Sequence, residues 1–420
     1  MEEIEEILHI LNPWWKEGSI SKDLAKPYKR KIFENIIKLL KYRQIIIISG
    51  LRRVGKTTLL YQTIEFLLKE NDARKIVYFN FDKRIAEPIK VLESYEKLTN
   101  VDWKKEKIYV LFDEIVKLKD WANKIKLIYD AFPNIKFMLS SSSSISLEEE
   151  AIRSLAGRYF LINVKPLSFV EYLEMKNLSK FIKNPELWKE ELKKEFGLYL
   201  LRNFPEIIDW EDEYLIKDYL RTTVIDKIMK EDLTEKFRNV NKDLLLNLLE
   251  IFYSNPGAYI DYDSLSKKFR ISKKTLIEHI FYLEFSYLIR RIKNFRVNTF
   301  VASRKMQKIY ANWWGLAFCY NPNYDKLIEN VVASAIEANF YWRKNNKEID
   351  FLKIDGKKVK PIEVKNKKEI TENDLKNIKY FLEKYNGEGI VLYSGDEERE
   401  IKINRKKINL IPLWRWFLTQ

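Results

Sequence analysis

The sequence predicts an α/β protein in which a parallel sheet flanked by helices is followed by smaller modules. Three observations lead to this prediction. The chain has 420 residues, too many for one small domain. Between Gln44 and Val164, short β-rich runs alternate with helical stretches, which favours a parallel sheet. A loop with two glycines joins the first run to the helix that follows it.

Composition excludes several classes of protein. Hydrophobic residues make up 46% of the chain, so it is neither disordered nor fibrous. The net charge of +15 fits a phosphate-rich partner, either nucleic acid or an anionic membrane surface. Cys319 is the only cysteine, so no intrachain disulfide is possible. The N-terminus is acidic and no apolar run reaches the roughly 18 residues of a spanning helix; we expect a cytoplasmic protein without stable membrane insertion.

The elements follow in order along the chain. An aromatic strap, Asn12 to Trp15, precedes a helix expected over 30–42. Residues 168–240 are predicted to be mostly helical. From 243 to 310 we expect a helix, a short helix, a turn, a third helix and a basic hairpin, and then a mixed α/β pattern. The strands of the first sheet are predicted at Ile45–Ser49, Lys75–Asn80, Lys107–Phe112, Lys136–Ser140 and Tyr159–Val164.

The glycine loop matches the phosphate-binding pattern G-x-x-x-x-G-K-[ST] between a strand and a helix. Its glycines let backbone N–H groups and the helix N-terminus face phosphates. We expect Lys56 to reach the β- and γ-phosphates of ATP and Thr57 to coordinate Mg²⁺. The nucleotide-binding residues are Gly50, Leu51, Arg52, Arg53, Val54, Gly55, Lys56, Thr57 and Thr58.

A buried run ending in Asp113-Glu114 supplies the acidic groups that such a site needs. We expect Asp113 to hold Mg²⁺ through water and Glu114 to orient or deprotonate the attacking water. Ser140, at the end of the next strand, is the first choice for a γ-phosphate sensor, although a plain serine-rich loop explains it equally well. Either Arg153 or Arg158 is a candidate for stabilising the transition state from a neighbouring subunit.

A helix-turn-helix pattern covers residues 243–285, with Ser272 as the N-cap of the third helix. Lys273, Lys274, Thr275 and His279 lie on its early turns, whereas Leu276, Ile280 and Leu283 form a buried stripe. Residues 265–310 carry 12 Lys/Arg against two Glu, a net charge of +10. The pattern favours binding to DNA phosphates over a protein contact or a merely solvated face.

The C-terminal part carries a set of carboxylates and a lysine. Glu363 and Lys365 share one face of a predicted strand, and Asp350 precedes them in strand-like sequence. Two carboxylates that hold Mg²⁺ and a lysine that positions water suit a metal-dependent phosphodiesterase. Glu329, on the preceding helix, is an additional candidate ligand. Asp and Glu-x-Lys at such loose spacing also arise by chance in a chain with 33% charged residues.

Taken together, these motifs resemble a family of archaeal and bacterial AAA-type P-loop ATPases. The resemblance rests on NPWW, GLRRVGKTTLL, YFNFD, VLFDEI, the serine-rich strand end, LAGRYF and PLSFVEY. It implies an ATPase core over 1–167, a helical lid over 168–242, a winged helix over 243–310 and a restriction-endonuclease-like module over 311–420. The chain departs from the family pattern at Ser140-Ser141-Ser142, where Thr-Gly-Ser is usual, and at Arg202-Asn203-Phe204-Pro205, where a Gly-Gly-Phe-Pro turn is usual.

Two hypotheses of function follow. In the first, a homo-oligomer, in which a ring is one arrangement, hydrolyses ATP with Mg²⁺ and acts on DNA, with strand cleavage by the nuclease-like module as an extension. In the second, ATP binding switches oligomerisation or protein partners, and the C-terminal module is catalytically silent.

Overall fold

The computed structural model describes residues 2–142, 151, 153–297, 301–302, 306–344, 346–356, 358–385, 387–403 and 406–420. The remainder of the predicted serine run, Ser143 and Ser144, and the cations Arg304 and Lys305 lie outside the described residues. The chain divides into two compact units, residues 1–165 and 166–420, each described by itself below.

The first unit contains a parallel sheet in the order β2-β3-β4-β1-β5. The prediction of a parallel sheet is therefore confirmed, and each strand differs by at most one residue at either end from its predicted range. The strands are β1 Ile45–Ser49, β2 Ile76–Asn80, β3 Ile108–Asp113, β4 Ile135–Ser141 and β5 Tyr159–Asn163. The helices are α1 Glu2–Leu11, α2 Trp14–Glu17, α3 Lys22–Ala25, α4 Lys31–Leu39, α5 Lys56–Leu67, α6 Pro88–Thr99 and α7 Trp121–Ala131, with 3₁₀ turns at Ala73–Lys75 and Ile115–Lys117.

The central strands β1, β3 and β4 are buried along their whole length, because helices cover both faces of the sheet. This explains the runs of isoleucine, valine and leucine in the sequence. The N-terminal strap covers the edge strand β2. Asn12 exchanges hydrogen bonds with the backbone of Tyr78, and the indole N–H groups of Trp14 and Trp15 both donate to the carbonyl of Ile76. The strap thus supplies hydrogen-bond partners for backbone groups at the edge of the sheet.

The second unit begins with a group of helices and continues with two sheets. The helices are α8 Phe169–Met175, α9 Ser179–Lys183, α10 Lys189–Tyr199, α11 Glu213–Leu220, α12 Leu233–Lys236, α13 Lys242–Ser254, α14 Tyr262–Lys268, α15 Lys273–Phe285, α16 Trp314–Ala317, α17 Tyr324–Ala335, α18 Lys376–Tyr385 and α19 Leu413–Phe417. Shorter turns lie at Pro205–Ile207 and Phe318–Tyr320, and π-helical turns at Arg221–Ile225 and Ile228–Asp232.

Two sheets make up the rest of the second unit. The first has the order β11-β10-β7-β9-β6, with β8 paired to β7, and the second has the order β12-β13-β14-β16-β15. The strands are β6 Ala258–Tyr259, β7 Ile289–Arg296, β8 Val301–Ala302, β9 Lys308–Ala311, β10 Phe340–Lys344, β11 Lys347–Ile349, β12 Phe351–Asp355, β13 Lys358–Lys365, β14 Glu388–Tyr393, β15 Arg399–Ile403 and β16 Lys406–Pro412.

The predicted helices of the helix-turn-helix pattern are present as α13, α14 and α15. The Ser272 hydroxyl accepts a hydrogen bond from the N–H of Thr275 at 3.1 Å, so Ser272 is the N-cap of α15 as predicted. The predicted stripe of Leu276, Ile280 and Leu283 is fully buried. The predicted basic hairpin is the antiparallel pair β7–β9. None of the helices in the described part of the chain combines the length and the apolar character that crossing a lipid bilayer requires.

Candidate nucleotide site and C-terminal carboxylate cluster

The loop between β1 and α5 is held in a tight wrap by its two glycines. A Cβ atom on Gly50 would lie 2.2 Å from the carbonyl oxygen of Val164, so no other residue fits there without displacing backbone. Gly55 has a φ of 95°, in the left-handed region that favours glycine. The Arg30 side chain donates to the carbonyls of Val54 and Lys165 at 3.1 and 2.7 Å, and thereby ties the loop to the end of β5.

The other side chains of the loop differ in how far they are buried. Leu51 and Val54 are buried, whereas Arg52 and Thr58 are half-buried and Arg53 is exposed. The helix α5 starts at Lys56, so its first N–H groups face the loop. The Lys56 ammonium donates to the carbonyls of Gly50 and Leu51 at 3.0 Å each. A phosphate bound in the loop would compete for this ammonium.

Asp113 ends β3 beside this loop and accepts four side-chain hydrogen bonds. The Thr57 hydroxyl donates to its Oδ2 at 2.7 Å, the Tyr78 hydroxyl at 2.8 Å and the Asn80 amide at 3.3 Å, while Ser140 donates to Oδ1. Burial and the neighbouring Glu114 raise the pKa of Asp113, and the donors oppose that shift. The structure therefore brings Thr57, Asp113 and Ser140 together at the carboxyl edge of the sheet.

Glu114 lies at the same edge, with a φ of 53°. Its carboxylate accepts hydrogen bonds from the N–H and the hydroxyl of Ser142, at 3.0 and 2.9 Å. The backbone N–H of Glu114 in turn donates to the Ser140 hydroxyl at 3.2 Å. The serine-rich end of β4 therefore contacts both acidic residues.

The two candidate arginines differ in their surroundings. Arg158 forms a bidentate ion pair with Asp130 of the same unit, at 2.8 and 3.2 Å. Arg153 is exposed. Within the described part of the chain, neither arginine forms a hydrogen bond or ion pair with the phosphate-binding loop.

The basic segment presents fewer exposed cations than its sequence indicates. Lys273, Lys274, Lys267, Lys268, Arg270, Lys293 and Arg296 are exposed. By contrast, Arg291 pairs with Glu284, Arg290 donates to Asn312, and Lys308 is buried among carboxylates. His279 is also buried: its Nε2 accepts from the N–H of Asn241 at 3.0 Å. It lies on the second turn of α15, but its ring faces inward and accepts from the backbone of Asn241, the N-cap of α13, so it does not belong to the exposed basic surface.

The C-terminal candidate residues meet where α17, β12 and β13 come together. Asp350 is half-buried and accepts a hydrogen bond from the N–H of Val364 at 2.8 Å. The Lys365 ammonium lies 2.6 Å from Oε2 of Glu363, so these two side chains share one strand face as predicted. The other carboxylate oxygen of Glu363, Oε1, is buried and has no hydrogen-bond partner among the described residues. Burial, followed by the charge of Asp350, raises the pKa of Glu363 well above its usual range.

Glu329 faces the same cluster but is already occupied by cations. Its carboxylate contacts the ammonium groups of Lys308 and Lys326 at 3.4 and 2.9 Å and the hydroxyl of Tyr310. Burial acts to raise the pKa of Glu329, but the two lysines outweigh it and lower that pKa. Within the described ranges, no three His, Cys, Asp or Glu side chains stand close enough together to form a metal site.

Sequence reasoning missed several residues that the fold brings to these sites. Tyr78 and Asn80 belong to the YFNFD motif, which signals their presence but not their contact with Asp113. Ser142 lies in a serine run that gives no reason to choose it. The buried Lys308 looked like one more cation of the basic segment, and nothing in its sequence context distinguishes it.

Comparison with known proteins places part of this chain in a described family. Residues 42–173 match a family model described as an AAA domain. Residues 194–321 and 324–416 match two domains of unknown function, DUF8612 and DUF4143. Neither of these two descriptions names a winged helix or a nuclease.

Relatives cover most of the chain at low identity. The chain is similar to the uncharacterised protein MJ1544 of Methanocaldococcus jannaschii, with 28% identity covering 96% of this chain and 95% of that protein. An uncharacterised protein of Haemophilus influenzae is 25% identical, over 73% of this chain and 79% of its own length.

Solved structures give weaker likenesses. The Walker-type ATPase PABY2304 of Pyrococcus abyssi has a TM-score of 0.43 and 16% identity, covering 70% of this chain and 95% of that one. AMPPCP-bound DnaA from Aquifex aeolicus has a TM-score of 0.31 and 18% identity, covering 63% of this chain and 92% of its own. The match of residues 42–173 to the AAA domain model agrees with the parallel sheet and its phosphate-binding loop, and together they support an AAA-type P-loop ATPase domain in this part of the chain.

Proposed function

We propose that this protein hydrolyses ATP at the loop of residues 50–58 and couples hydrolysis to an action on DNA. The observation that carries the ATPase proposal is the 2.7 Å hydrogen bond between the Thr57 hydroxyl and the Asp113 carboxylate. The bond joins the first turn of α5 to the end of β3. These are the two kinds of oxygen that hold Mg²⁺ beside a nucleotide phosphate in P-loop enzymes.

The residues fit Mg-ATP in their chemistry. The N–H groups at the start of α5 and the Lys56 ammonium offer positive charge to phosphates, and Thr57 and Asp113 offer oxygen ligands to Mg²⁺. When bound, Mg²⁺ would neutralise part of the negative charge on the β- and γ-phosphates. Glu114 would orient the attacking water or accept its proton. Its hydrogen bonds to Ser142 fix the carboxylate at this edge of the sheet.

The test is steady-state ATP turnover by purified variants. We expect Lys56→Ala and Glu114→Gln to lower turnover by at least about a hundredfold, since each removes a group that acts on the transition state. Glu114→Gln should still bind ATP. The control is Lys69→Ala, which removes an exposed charge near the end of α5. Turnover that survives Lys56→Ala would refute the assignment.

The DNA proposal rests on the exposed cations of α14 and α15. Lys267, Lys268, Arg270 and Lys274 are exposed, and Lys273 is exposed although it pairs with Asp263 at 2.5 Å. The arrangement of α13, α14, α15 and the β7–β9 hairpin supports a winged helix that contacts phosphates without reading sequence.

Duplex binding at several salt concentrations tests this part. We expect Lys273→Ala combined with Lys274→Ala to weaken binding and to reduce the salt slope by about 0.9 for each lost phosphate contact. DNA should also stimulate ATP turnover. Turnover that is indifferent to DNA would instead favour the nucleotide-controlled switch.

We also propose that ATP hydrolysis takes place in a homo-oligomer. Because Arg158 is engaged by Asp130 in its own unit, the exposed Arg153 is the better candidate for entering a neighbouring site. Mixing Arg153→Ala subunits with Lys56→Ala subunits tests this: each variant alone should be inactive, and mixed oligomers should regain part of the turnover. No recovery would refute a role for Arg153 in trans.

A second candidate activity is metal-dependent DNA cleavage by the C-terminal carboxylates. The specific observation in its favour is the buried, unpartnered Oε1 of Glu363, next to Asp350 and with Lys365 at 2.6 Å from the other oxygen. Asp350 and Glu363 would hold Mg²⁺, whereas Glu329 is taken up by Lys308 and Lys326. Lys365 would position a water molecule.

Linear DNA incubated with Mg²⁺ or Mn²⁺ tests this activity. Asp350→Asn should abolish cleavage, although the amide oxygen of the asparagine can take the place of Oδ2 and accept from the Val364 N–H. Asp355→Asn, at the exposed end of β12, should cleave normally. Equal cleavage by both variants, or none by the wild type, would remove the nuclease assignment and leave the module as a DNA-holding or silent part.

A further inference from the structure

A cleft opens in the second unit where strands β7 and β10 separate. The two strands pair in parallel through only two residue pairs, Phe340 with Lys293 and Tyr341 with Asn294. Beyond this point β10 continues beside β11 and β7 beside β8. The facing edges of residues 295–297 and 342–344 therefore enclose a space in the sheet.

The root of the cleft is closed by one side chain. The amide of Asn294 donates to the carbonyl of Arg343 at 3.2 Å and accepts from its N–H at 3.0 Å, and so replaces the next pair of ladder hydrogen bonds. The separation of the strands is thus a built feature, in which the polar backbone groups at the branch point are satisfied.

The cleft has a volume of about 420 Å³, within the range of small-ligand sites. Aromatic rings and cations dominate its lining, which includes Asn294, Phe295, Arg296, Trp342, Lys344 and Tyr385. Arg296 and Lys344 are exposed and Tyr385 is half-buried, so solvent reaches these three side chains at the mouth, whereas Phe295 and Trp342 are buried.

Positive charge continues around the mouth. Lys344 lies directly opposite Lys347 in the β10–β11 pair, an arrangement of like charges that destabilises a sheet unless an anion binds. Lys347 lies over the Tyr380 ring at 4.9 Å, and Lys384 over the Tyr385 ring at 5.6 Å. Cations and half-buried aromatic rings therefore alternate along this surface.

We infer that this cleft binds a nucleotide of single-stranded DNA, with Arg296 and Lys344 on the phosphates and Tyr385 against the base. A cationic groove with interspersed aromatic rings suits single strands, whose bases expose faces for stacking. In a duplex those faces are covered by neighbouring bases. An acidic peptide offers the charge but no planar group for the ring. This inference deepens the proposed action on DNA and rests on it: α15 would hold duplex, and the cleft would hold a separated strand.

The test compares fluorescence anisotropy of a thymidine oligonucleotide of about 20 nucleotides with that of a duplex of the same length. We expect Arg296→Ala combined with Lys344→Ala to weaken single-strand binding at least about tenfold and to lower its salt slope by about 1.4, for two lost phosphate contacts. Duplex binding should change less than about threefold. The matched control, Lys183→Ala combined with Lys194→Ala, removes two exposed cations from α9 and α10 and should leave both affinities unchanged.

The ring is tested separately. Tyr385→Leu should weaken binding of the thymidine strand, whereas Tyr385→Phe, which keeps the ring, should bind it as the wild type does. The ring centroids of Tyr385 and Phe381 are 4.9 Å apart, so a change at Tyr385 can disturb packing. Thermal denaturation of both variants detects such a folding defect. If Tyr385→Leu does not fold, the Arg296/Lys344 pair alone decides the inference.

Three outcomes would overturn the inference. If the Arg296/Lys344 double variant binds the single strand as tightly as the wild type does, the inference about the cleft is refuted. The proposed action on DNA still stands in that case, provided that the protein binds duplex. Equal weakening of single-strand and duplex binding shows a general electrostatic effect. A poly-glutamate competitor that displaces the oligonucleotide as well as unlabelled thymidine strands do assigns the cleft to an acidic protein segment. If the wild type binds neither form of DNA, the proposed action on DNA itself is wrong.

Discussion

Replacing Asp113 by asparagine should separate the activity of the nucleotide site from its stability. Asp113 is completely buried next to Glu114, and both burial and that neighbour raise its pKa. The carboxylate therefore costs folding free energy at neutral pH. An asparagine with its amide oxygen at the Oδ2 position keeps the acceptor of Thr57, Tyr78 and Asn80. The Ser140 hydroxyl, at the other position, can rotate to accept from the amide nitrogen, so no donor is orphaned.

We expect Asp113→Asn to stabilise the nucleotide-free protein by about 1 kcal/mol, the usual size of a single stabilising substitution, and to lower ATP turnover at least about a hundredfold. Because the pKa is raised on folding, the penalty is absent below the pKa of the unfolded carboxyl, about 3.9, and complete above the folded value. The stability gain should therefore shrink as the pH falls from 7 towards 4.

Thermal denaturation in EDTA without nucleotide, at several pH values, measures the stability change, and a parallel turnover assay measures activity. Glu114→Gln is the comparison, because it removes the neighbouring charge and should recover part of the same stability. An Asp113→Asn protein that is destabilised by more than about 1 kcal/mol, or a gain that does not change with pH, would refute the reasoning.

Three further predictions concern single residues. Gly50→Ala should destabilise the first unit by about 2 to 4 kcal/mol in a denaturation assay, because the added Cβ would meet the backbone of Val164. Gly197→Ala in α10 is the control: its Cβ would meet nothing within 4 Å, so this change should be neutral or stabilising. Lys136→Met should cost about 2 to 4 kcal/mol, because the buried ammonium donates to the carbonyls of Leu39, Tyr42 and Gln44; a change below about 0.5 kcal/mol in urea denaturation would contradict this. Burial raises the pKa of Cys319 to about 12, so labelling by a thiol reagent at pH 8 should be at least about a hundredfold faster in the denatured chain, and equal rates would show that the thiol is accessible in the fold.

The strand pattern of the first sheet was predictable because β1 to β4 are short, apolar and separated by helices. The hydrophobic pattern of a segment is a local property, so the ends of Ile45–Ser49 and its neighbours can be read within a residue. The N-cap Ser272 was predictable for the same reason, since capping acts over three residues. Asp113 and the phosphate-binding loop were recognisable because the chemistry requires particular residue types at a fixed spacing.

The partners of these residues were not predictable. Tyr78 and Asn80 are 35 and 33 residues from Asp113, and Ser142 is 28 residues from Glu114. Their contacts depend on the strand order β2-β3-β4, which brings the ends of three strands together. No periodicity in the sequence encodes that order.

The charged residues show most clearly what the sequence determines and what only the tertiary structure determines. The sequence alone determined the surplus of +15, the concentration of cations in residues 265–310, and the presence of a phosphate-binding loop. Only the tertiary structure decided which cations are exposed: it buries Lys308 against Glu329 and Glu348, pairs Arg291 with Glu284, and places Arg296 and Lys344 at the mouth of a cleft. The physical reason is that a charge is a property of one residue, whereas its desolvation and its partners depend on what the fold packs against it.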